Sequence, residues 1–253
     1  MTLNIKDKPK DGFERVVYAE EDKFNFYSVI AIHNTKRGPA LGGCRYFNYQ
    51  DFNKQEEDVL KLAEAMTYKN SLAELPFGGG KATIHSKINK KDAYSLFGEV
   101  LNKLNGTYIT AGDMGTVDED LRGFREYSNH VCNPIGSDSG LATALGVFYS
   151  MLGCVEFKYG KESLKNKNIF IKGYGKTGSR IASLCKKDGA NIEISDLEHK
   201  KDLIERDGYK FCSQLQDTSF EKIDIYSPCA GGGDLNKEFL NFFPATFFWL
   251  FFS

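Results

Sequence analysis

The sequence lacks an excess of charge of either sign. It has 33 Lys and Arg residues against 34 Asp and Glu residues, so the formal net charge is -1 at pH 7. A surface that binds nucleic acid or an anionic membrane usually carries a basic excess. The composition therefore gives no argument for either partner, and its 41% hydrophobic and 26% charged residues are typical of a soluble globular protein.

Paired cysteines are also lacking. The six cysteines are scattered and form neither a C-x-x-C pair nor a His/Cys cluster: Cys44, Cys132, Cys154, Cys185, Cys212 and Cys229. This pattern supports neither a disulfide framework nor a zinc site. We therefore expect no bound metal and a reducing, cytoplasmic location.

Long apolar runs are rare. The polar, lysine-rich residues 1–12 have no apolar segment of the kind found in secretory signals. No apolar run reaches the ~18 residues that a membrane helix needs. Residues 239–253 are rich in aromatics and are interrupted by Pro244, with neither helical nor strand periodicity. We interpret this end as a truncated or frameshifted reading frame rather than a membrane anchor.

The rest of the sequence alternates predicted strands with predicted helices. Runs rich in β-branched and aromatic residues predict strands at residues 16–18, 26–32, 81–85, 108–110, 168–172, 191–195 and 223–226. Apolar residues at helical spacing predict helices at residues 53–75, 92–104, 143–159 and 176–187. Glycine and proline predict a turn or loop at residues 38–43. Such alternation is typical of the α/β class.

The most loop-like stretch, residues 133–140, predicts a hinge between two domains. The resulting division is an N-terminal α/β substrate domain over residues 1–140 and an incomplete Rossmann-type dinucleotide-binding domain over residues 141–253. The second domain reads as strand, turn, helix and strand, which is a βαβ unit.

A glycine turn carries the clearest functional signal. Gly173, Gly175 and Gly178 follow an apolar strand and open a helix, and Asp196 lies 18 residues beyond the last glycine, at the end of the next strand. The first glycine permits a tight turn, the second allows backbone to approach a pyrophosphate, and the third lets the helix pack closely on the sheet. A carboxylate at Asp196 would bond the ribose hydroxyls and repel a 2′-phosphate. The turn predicts NAD as cofactor; the alternative is an ordinary glycine-rich connection.

Two lysines and an aspartate are candidates for acid–base chemistry. Lys69 follows Leu62 and Met66 at helical spacing, so it projects from the apolar side of its helix and must snorkel, pair or serve a site. Lys81 follows three glycines, where a lysine is usually solvated, and Asp113 lies where aspartate often forms a turn. Together, however, a second ammonium and removal from water would lower a lysine pKa enough for it to act as a base.

Four segments resemble the glutamate/leucine/phenylalanine/valine dehydrogenase family in order and spacing. They are residues 38–45 (GPALGGCR), 66–70 (MTYKN), 75–81 (LPFGGGK) and 110–116 (TAGDMGT). The resemblance extends over about residues 25 to 235, is closest to the leucine and phenylalanine branch, and places the glycine turn where the family has its NAD domain. It implies reversible oxidative deamination of an L-amino acid to a 2-oxo acid and ammonia, in a homo-oligomer.

The resemblance also implies residue roles. The lysine matching Lys69 binds the substrate carboxylate, the lysine matching Lys81 activates the water that attacks the imine, and the aspartate matching Asp113 relays protons to and from nitrogen. Hydride passes from the α-carbon to the nicotinamide across the cleft between the two domains. Thr143 matches a threonine near the nicotinamide carboxamide, and Cys229-Ala230 matches a loop beside the adenosine ribose.

The substrate side chain is expected to be apolar. Glutamate-specific members carry a lysine near the position of Leu41, which is uncharged here and has packing in a loop as its alternative role. The residues expected to contact substrate are Lys69, Leu41, Gly42 and Met66. The residues expected to contact NAD are Gly173, Gly175, Lys176, Thr177, Gly178, Asp196, Thr143, Cys229 and Ala230.

Departures from the family pattern leave an alternative open. Thr83 and Lys87 differ from the usual residues, and the family continues beyond Gly233 with an Asn-Asn-Gln-Leu-like segment, further strands and a final helix. The alternative is a truncated chain that binds nucleotide or partner chains without turnover. A hydroxy-acid dehydrogenase is disfavoured, because the four histidines form no His/Arg pair near the nicotinamide.

Overall fold

The computed structural model describes residues 3–132, 138–213, 223–231, 235–237, 239 and 247–248. The chain divides into two compact units, Met1–Ile135 and Gly136–Ser253. Of the predicted hinge at 133–140, residues 133–137 lie outside the described residues, as does most of the aromatic C-terminal segment. Both units are mixed α/β structures, which confirms the predicted fold class.

The first unit is a six-stranded sheet with three helices. Its strands are β1 (Asn4–Asp7), β2 (Arg15–Glu21), β3 (Phe26–Asn34), β4 (Ala40–Phe47), β5 (Gly78–His85) and β6 (Tyr108–Gly112). Its helices are α1 (Phe52–Leu72), α2 (Lys90–Leu104) and α3 (Asp118–Arg125). The sheet order is β1-β2-β3-β5-β4-β6, antiparallel from β1 to β5 and parallel from β5 to β6.

Side-chain alternation along the strands separates two faces of this sheet. On one face Ala82 and Ile84 of β5 join the large core formed with α2 and α3. On the other face Thr83 accepts a hydrogen bond from Gln55 of α1. Successive side chains of a strand point to opposite faces, so Lys81 faces α1 rather than the apolar core. The sequence of β5 thereby delivers one charged residue to the interior.

The prediction of a turn at residues 38–43 is wrong from Ala40 onward, because these residues begin strand β4. The glycines serve close packing instead. A methyl group on Gly42 would lie 1.7 Å from the Gly80 carbonyl oxygen, and one on Gly43 would lie 2.6 Å from the Gly112 carbonyl oxygen. Glycine inside a strand often marks such close approach of another backbone. Strand β1 and helix α3 were also not predicted.

The second unit is a five-stranded parallel sheet of order β11-β10-β7-β8-β9. The strands are β7 (Asn168–Lys172), β8 (Asn191–Ser195), β9 (Lys210–Phe211), β10 (Ile225–Pro228) and β11 (Phe247–Phe248). The helices are α4 (Ser139–Tyr159), α5 (Gly178–Lys187) and α6 (Lys201–Arg206). The predicted strands at 168–172 and 191–195 are confirmed, and a single apolar core joins them to α4 and α5.

Helix α4 corrects the expectation that no segment is apolar enough to span a membrane. Among the described residues, Gly140–Tyr159 meets the length and composition that such a span needs. Its buried side, however, carries Ala144, Val147 and Met151 into the core of the second unit. The core helix of a soluble protein has this same composition, so the helix by itself is weak evidence for a membrane.

Gly42→Ala should destabilise the first unit, because the added methyl group meets a backbone oxygen that cannot move without breaking the sheet. Overpacking of this kind costs about 1–3 kcal/mol. Urea unfolding followed by circular dichroism measures the loss. Gly146→Ala is the control, because no atom in the described part of the chain lies within 4 Å of the added methyl group and alanine favours a helix. An unchanged urea midpoint for Gly42→Ala would show that the strands tolerate a side chain there.

Candidate active site

Lys81 lies inside β5 and is buried, with 5% of its side chain exposed. Its Nζ is 3.1 Å from Oδ2 of Asp113. The sequence alternative, a solvated lysine after a turn, is therefore not what the structure shows. The glycines before it are themselves within the strand, and a methyl group on Gly79 would lie 2.1 Å from the Thr67 backbone nitrogen of α1. Close packing of α1 on β5 keeps Lys81 from water.

Asp113 follows the last residue of β6 and also forms a turn. Its backbone N–H donates to the Thr116 hydroxyl at 2.8 Å, and that hydroxyl is 2.9 Å from the carbonyl oxygens of Asp113 and Cys44. This bonding anchors the turn to β4. The carboxylate meanwhile faces Lys81, so the turn-forming role and the site role are carried by different atoms of one residue.

Arg45 is a residue of the site that the sequence interpretation did not single out. Its Nε is 2.8 Å from Asp113 Oδ2, and its Nη1 is 2.9 Å from Asp58 Oδ2. The Tyr49 hydroxyl donates to the same Asp58 oxygen at 2.7 Å. A signal was available: Arg45 lies in the motif at 38–45, at an even spacing from Leu41, so both side chains fall on one face of β4.

Lys69 and Met66 lie in the C-terminal half of α1. Lys69 is exposed, while the next residue, Asn70, is buried and donates from Nδ2 to the carbonyl oxygens of Leu41 and Gly78. These bonds fix the end of α1 against the beginnings of β4 and β5. A methyl group on Gly42 would lie 3.3 Å from Met66 Cγ. The Leu41 carbonyl oxygen, Gly42 and Met66 thus lie where α1 packs on β4.

Charge and burial oppose each other in this cluster. Burial lowers the pKa of Lys81; the Asp113 carboxylate opposes the shift, and the charges of Arg45 and Lys69 add to it. Although much of the Lys69 side chain is exposed, partial desolvation by the surrounding protein atoms lowers its pKa, again against the attraction of Asp113. For Asp113 burial raises the pKa, but Lys81 and Arg45 outweigh it and the net shift is downward. The result is an ionised carboxylate beside a lysine that releases its proton more readily than an ordinary one.

The three glycines of the turn in the second unit differ in backbone conformation and in the room around them. Gly173 has a positive φ of 106°, and a methyl group on it would lie 2.7 Å from the Cys229 carbonyl carbon. A methyl group on Gly178 would lie 1.9 Å from the Gly173 oxygen, whereas one on Gly175 would meet no atom of the described residues within 4 Å. Helix α5 begins at Gly178, two residues later than predicted, so Lys176 lies before the helix.

Asp196 lies directly beyond β8 and contacts this turn. Its carboxylate accepts from the N–H groups of Tyr174 at 2.5 Å and Leu197 at 2.7 Å, and from Lys200 Nζ at 2.9 Å. Burial alone would raise the pKa of Asp196, but Lys200 and the two backbone donors lower it overall. The acid is therefore ionised beside the turn. Lys200 is a second residue that the sequence interpretation did not single out.

The other cofactor candidates border the same turn or the start of α4. Cys229 follows β10 and donates from its backbone N–H to the Lys172 carbonyl oxygen at 2.6 Å; Ala230 comes next. Thr177 is the residue before α5. Thr143 is partly buried and lies one turn into α4, whose N-terminus is capped by Asp138.

The two units carry different chemistry. The first holds a buried lysine–carboxylate–arginine cluster suited to proton transfer. The second holds a strand–glycine turn–helix arrangement with an open approach at Gly175 and an acid at the end of the next strand, which suits a dinucleotide. No cluster of three or more His, Cys, Asp or Glu side chains in the described part of the chain is placed to hold a metal.

Comparison with known proteins agrees with this description. Residues 14–129 match the profile of the Glu/Leu/Phe/Val dehydrogenase dimerisation domain. The phenylalanine dehydrogenase of Thermoactinomyces intermedius is 37% identical over 243 residues, covering 92% of this chain and 66% of that protein. The valine dehydrogenase of Streptomyces virginiae is 36% identical, covering 90% and 67%. The leucine dehydrogenase of Bacillus subtilis is 33% identical, covering 92% and 67%.

A solved structure, the L-tryptophan dehydrogenase from Nostoc punctiforme, is similar with a TM-score of 0.67 and 27% identity, covering 94% of this chain and 70% of that chain. The chain spans about two thirds of the length of the curated relatives it matches. The matches to the three curated relatives and to the solved structure each extend over both units. The chain belongs to the Glu/Leu/Phe/Val dehydrogenase family.

Proposed function

We propose that the protein is an NAD-dependent amino-acid dehydrogenase that reversibly deaminates an apolar L-amino acid to a 2-oxo acid and ammonia. The observation that carries the proposal is the burial of Lys81 against Asp113 and Arg45. Relatives named phenylalanine, leucine and valine dehydrogenases support the apolar substrate class. Because the chain spans only two thirds of their length, its own activity is part of the proposal.

The roles of the lysines follow from their exposure. Lys69 is exposed and positively charged near the end of α1, which suits it to hold the substrate carboxylate. Lys81 is buried and its pKa is lowered, which suits it to take a proton from the water that attacks the imine. A base must be neutral before it takes a proton, and burial favours the neutral amine.

Asp113 exchanges protons with the substrate nitrogen in this proposal. Deamination requires the amino group to lose a proton before the α-carbon gives up hydride, and the leaving nitrogen to gain one later. An ionised carboxylate adjacent to Lys81 accepts the first proton and returns it in the later step. Its low pKa keeps it available at neutral pH.

Features of the glycine turn in the second unit support NAD as the cofactor. Gly173 and Gly178 leave no room for a side chain, and Gly175 faces open space that a pyrophosphate requires. Asp196 would hold the ribose hydroxyls, with Lys176, Thr177, Thr143, Cys229 and Ala230 as further contacts. NAD, when bound, accepts the hydride from the α-carbon.

We assign substrate selection to uncharged residues where β4 and α1 pack together. Leu41, Gly42 and Met66 present no group that would pair with a side-chain carboxylate, so leucine, valine or phenylalanine is favoured over glutamate. The match to a dimerisation domain supports a homo-oligomer, and we place the protein in the cytoplasm on the basis of its unpaired cysteines.

Lys81→Ala should lower the rate of NADH formation from leucine, valine or phenylalanine by at least about 100-fold, because general-base catalysis typically contributes that much. Absorbance at 340 nm measures the rate, and calorimetric titration should show unchanged NAD affinity. Lys54→Ala is the control, because Lys54 is an exposed residue of α1 paired only with Glu57 among the described residues. A full rate for Lys81→Ala would rule out the proposed role.

The same titration separates an enzyme from a non-catalytic nucleotide-binding chain. The second candidate, a chain that binds nucleotide without turnover, is considered because the chain spans only 66% of the length of a relative named phenylalanine dehydrogenase. Binding of NAD by the unmodified chain, with no NADH from any of the three amino acids, would select it.

Asp196→Asn should weaken NAD binding by about 10-fold or more, because hydrogen bonds to a charged group contribute about 1.5–3 kcal/mol. Loss of the negative charge should also reduce the preference for NAD over NADP, because the carboxylate would no longer repel the 2′-phosphate. The positive charge of Lys200, which pairs with Asp196, would then favour that phosphate. Calorimetric titration with both nucleotides measures the two affinities. Asp202→Asn is the matched control, since Asp202 is an exposed carboxylate nearby. An unaltered NAD/NADP ratio for Asp196→Asn would exclude this carboxylate as the selecting group.

A further inference from the structure

Arg45 is buried, with 9% of its side chain exposed, and it joins three elements. From β4 its guanidinium reaches Asp113 beyond β6 and Asp58 of α1. Asp58 in turn accepts from the Tyr49 hydroxyl. Burial of an arginine between two carboxylates is costly unless its geometry is satisfied. The Arg45 guanidinium itself exchanges no proton in the proposed reaction.

The contacts on Asp113 are unequal between its two oxygens. Arg45 Nε at 2.8 Å and Lys81 Nζ at 3.1 Å both lie on Oδ2. No side chain in the described ranges makes a hydrogen bond to Oδ1. An oxygen that already accepts from two cations is a poor site for a further proton, so the proton-exchanging position of this carboxylate is Oδ1.

We propose that Arg45, held by Asp58, is a positioning residue that fixes the Asp113 carboxylate through Oδ2 and leaves Oδ1 to exchange a proton with the substrate nitrogen. The inference deepens the proposed dehydrogenase function and rests on it for the identity of the proton donor. In deamination the proton moves from the substrate ammonium to Oδ1, so the nitrogen becomes a neutral amine and the carboxylate a neutral acid. Reversal of the step returns the proton to nitrogen.

The planar fork of arginine suits it to this role better than lysine. Nε bonds Asp113 while Nη1 bonds Asp58, so one rigid group bridges two elements. A lysine has a single nitrogen on a flexible stem and does not hold two carboxylates in a fixed relation. A lysine at position 45 would still place a positive charge near Asp113. The substitution Arg45→Lys therefore separates the effect of the charge from the effect of the rigid bridge.

The charges around Asp113 determine the sign of the expected pH effect. Arg45 faces it from β4, Lys81 from β5 and Lys69 from α1, while the Cys44 thiol is a weakly acidic neighbour. Removing the guanidinium takes away one cation and raises the pKa of Asp113 toward the value that burial favours. Because Asp113 must be ionised to accept a proton, the acid limb of the kcat profile should then move to higher pH.

The test uses three variants of the full chain. Arg45→Gln should raise the acid limb by about one pH unit or more, because an adjacent arginine lowers an aspartate pKa by about 1–3 units. Arg45→Lys should keep the acid limb of the kcat profile at its original pH but leave kcat about 10-fold lower. The positive charge is retained in this variant, whereas the rigid link between Asp113 and Asp58 is lost. Asp58→Asn should resemble Arg45→Lys, with no upward movement of the limb.

Arg15→Lys is the matched control. Arg15, like Arg45, uses two guanidinium nitrogens, but both bond the single carboxylate of Asp7, and the pair is largely exposed. Its kcat and pH profile should equal those of the unmodified chain. Full kcat in Arg45→Lys, or an unmoved acid limb in Arg45→Gln, would overturn the proposal. If Arg45→Gln does not fold, the kcat of Arg45→Lys and Asp58→Asn decides.

A second readout is independent of turnover. Carbon-13 NMR of aspartate carboxyl groups, with Asp113 assigned from its loss in Asp113→Asn, gives the pKa of Asp113 in each variant. It should rise in Arg45→Gln and stay unchanged in Arg15→Lys. If the unmodified chain forms no NADH, the dehydrogenase proposal fails, but this titration still decides whether Arg45 controls Asp113; an unchanged pKa in Arg45→Gln would overturn that control.

Discussion

The burial of one carboxylate among three cations is the constraint on which the first unit depends. Asp113 contacts Lys81 and Arg45 directly, and Lys69 acts on it from α1. An isolated charge at this depth would be too costly to keep, and removal of one partner from a buried pair is strongly destabilising. The cluster is therefore maintained only while β4, β5, β6 and α1 stay in register, which couples the fold to the chemistry of the site.

Glycine provides the close approach that this register needs. Gly42, Gly43 and Gly79 each lie where a methyl group would meet neighbouring backbone at less than 3 Å. Larger residues would move β4 away from β5 and β6, or α1 away from the sheet. The distance from Lys81 to Asp113 would lengthen with them. The same principle recurs in the second unit, where Gly173 and Gly178 bring α5 against β7 and leave Gly175 open to a ligand.

Much of this was readable from sequence because local patterns carry it. The glycine turn and the strands at 168–172 and 191–195 followed from spacing and residue chemistry. The choice of Lys81 and Asp113 as candidate site residues followed from residue chemistry and from a family resemblance, and the structure places their side chains in contact. Strand β4 was predicted as a turn because glycine and proline favour turns in a local reading of the sequence. Its glycines are instead required by the close approach of the backbones of β5 and β6. Arg45 and Asp58 were missed for a similar reason: their partners are 68 and 13 residues away in the chain, and only the folded sheet shows that they meet.

We propose that burial and neighbouring charge make Lys81 a base. Direct titration of its amine by carbon-13 NMR of lysine side chains, with the resonance assigned from Lys81→Arg, tests this without substrate or cofactor. The Lys81 pKa should lie below that of an ordinary lysine and should fall further in Asp113→Asn, because the carboxylate opposes the downward shift. A pKa at or above the ordinary lysine value in the unmodified chain would show that Lys81 is not activated by its surroundings.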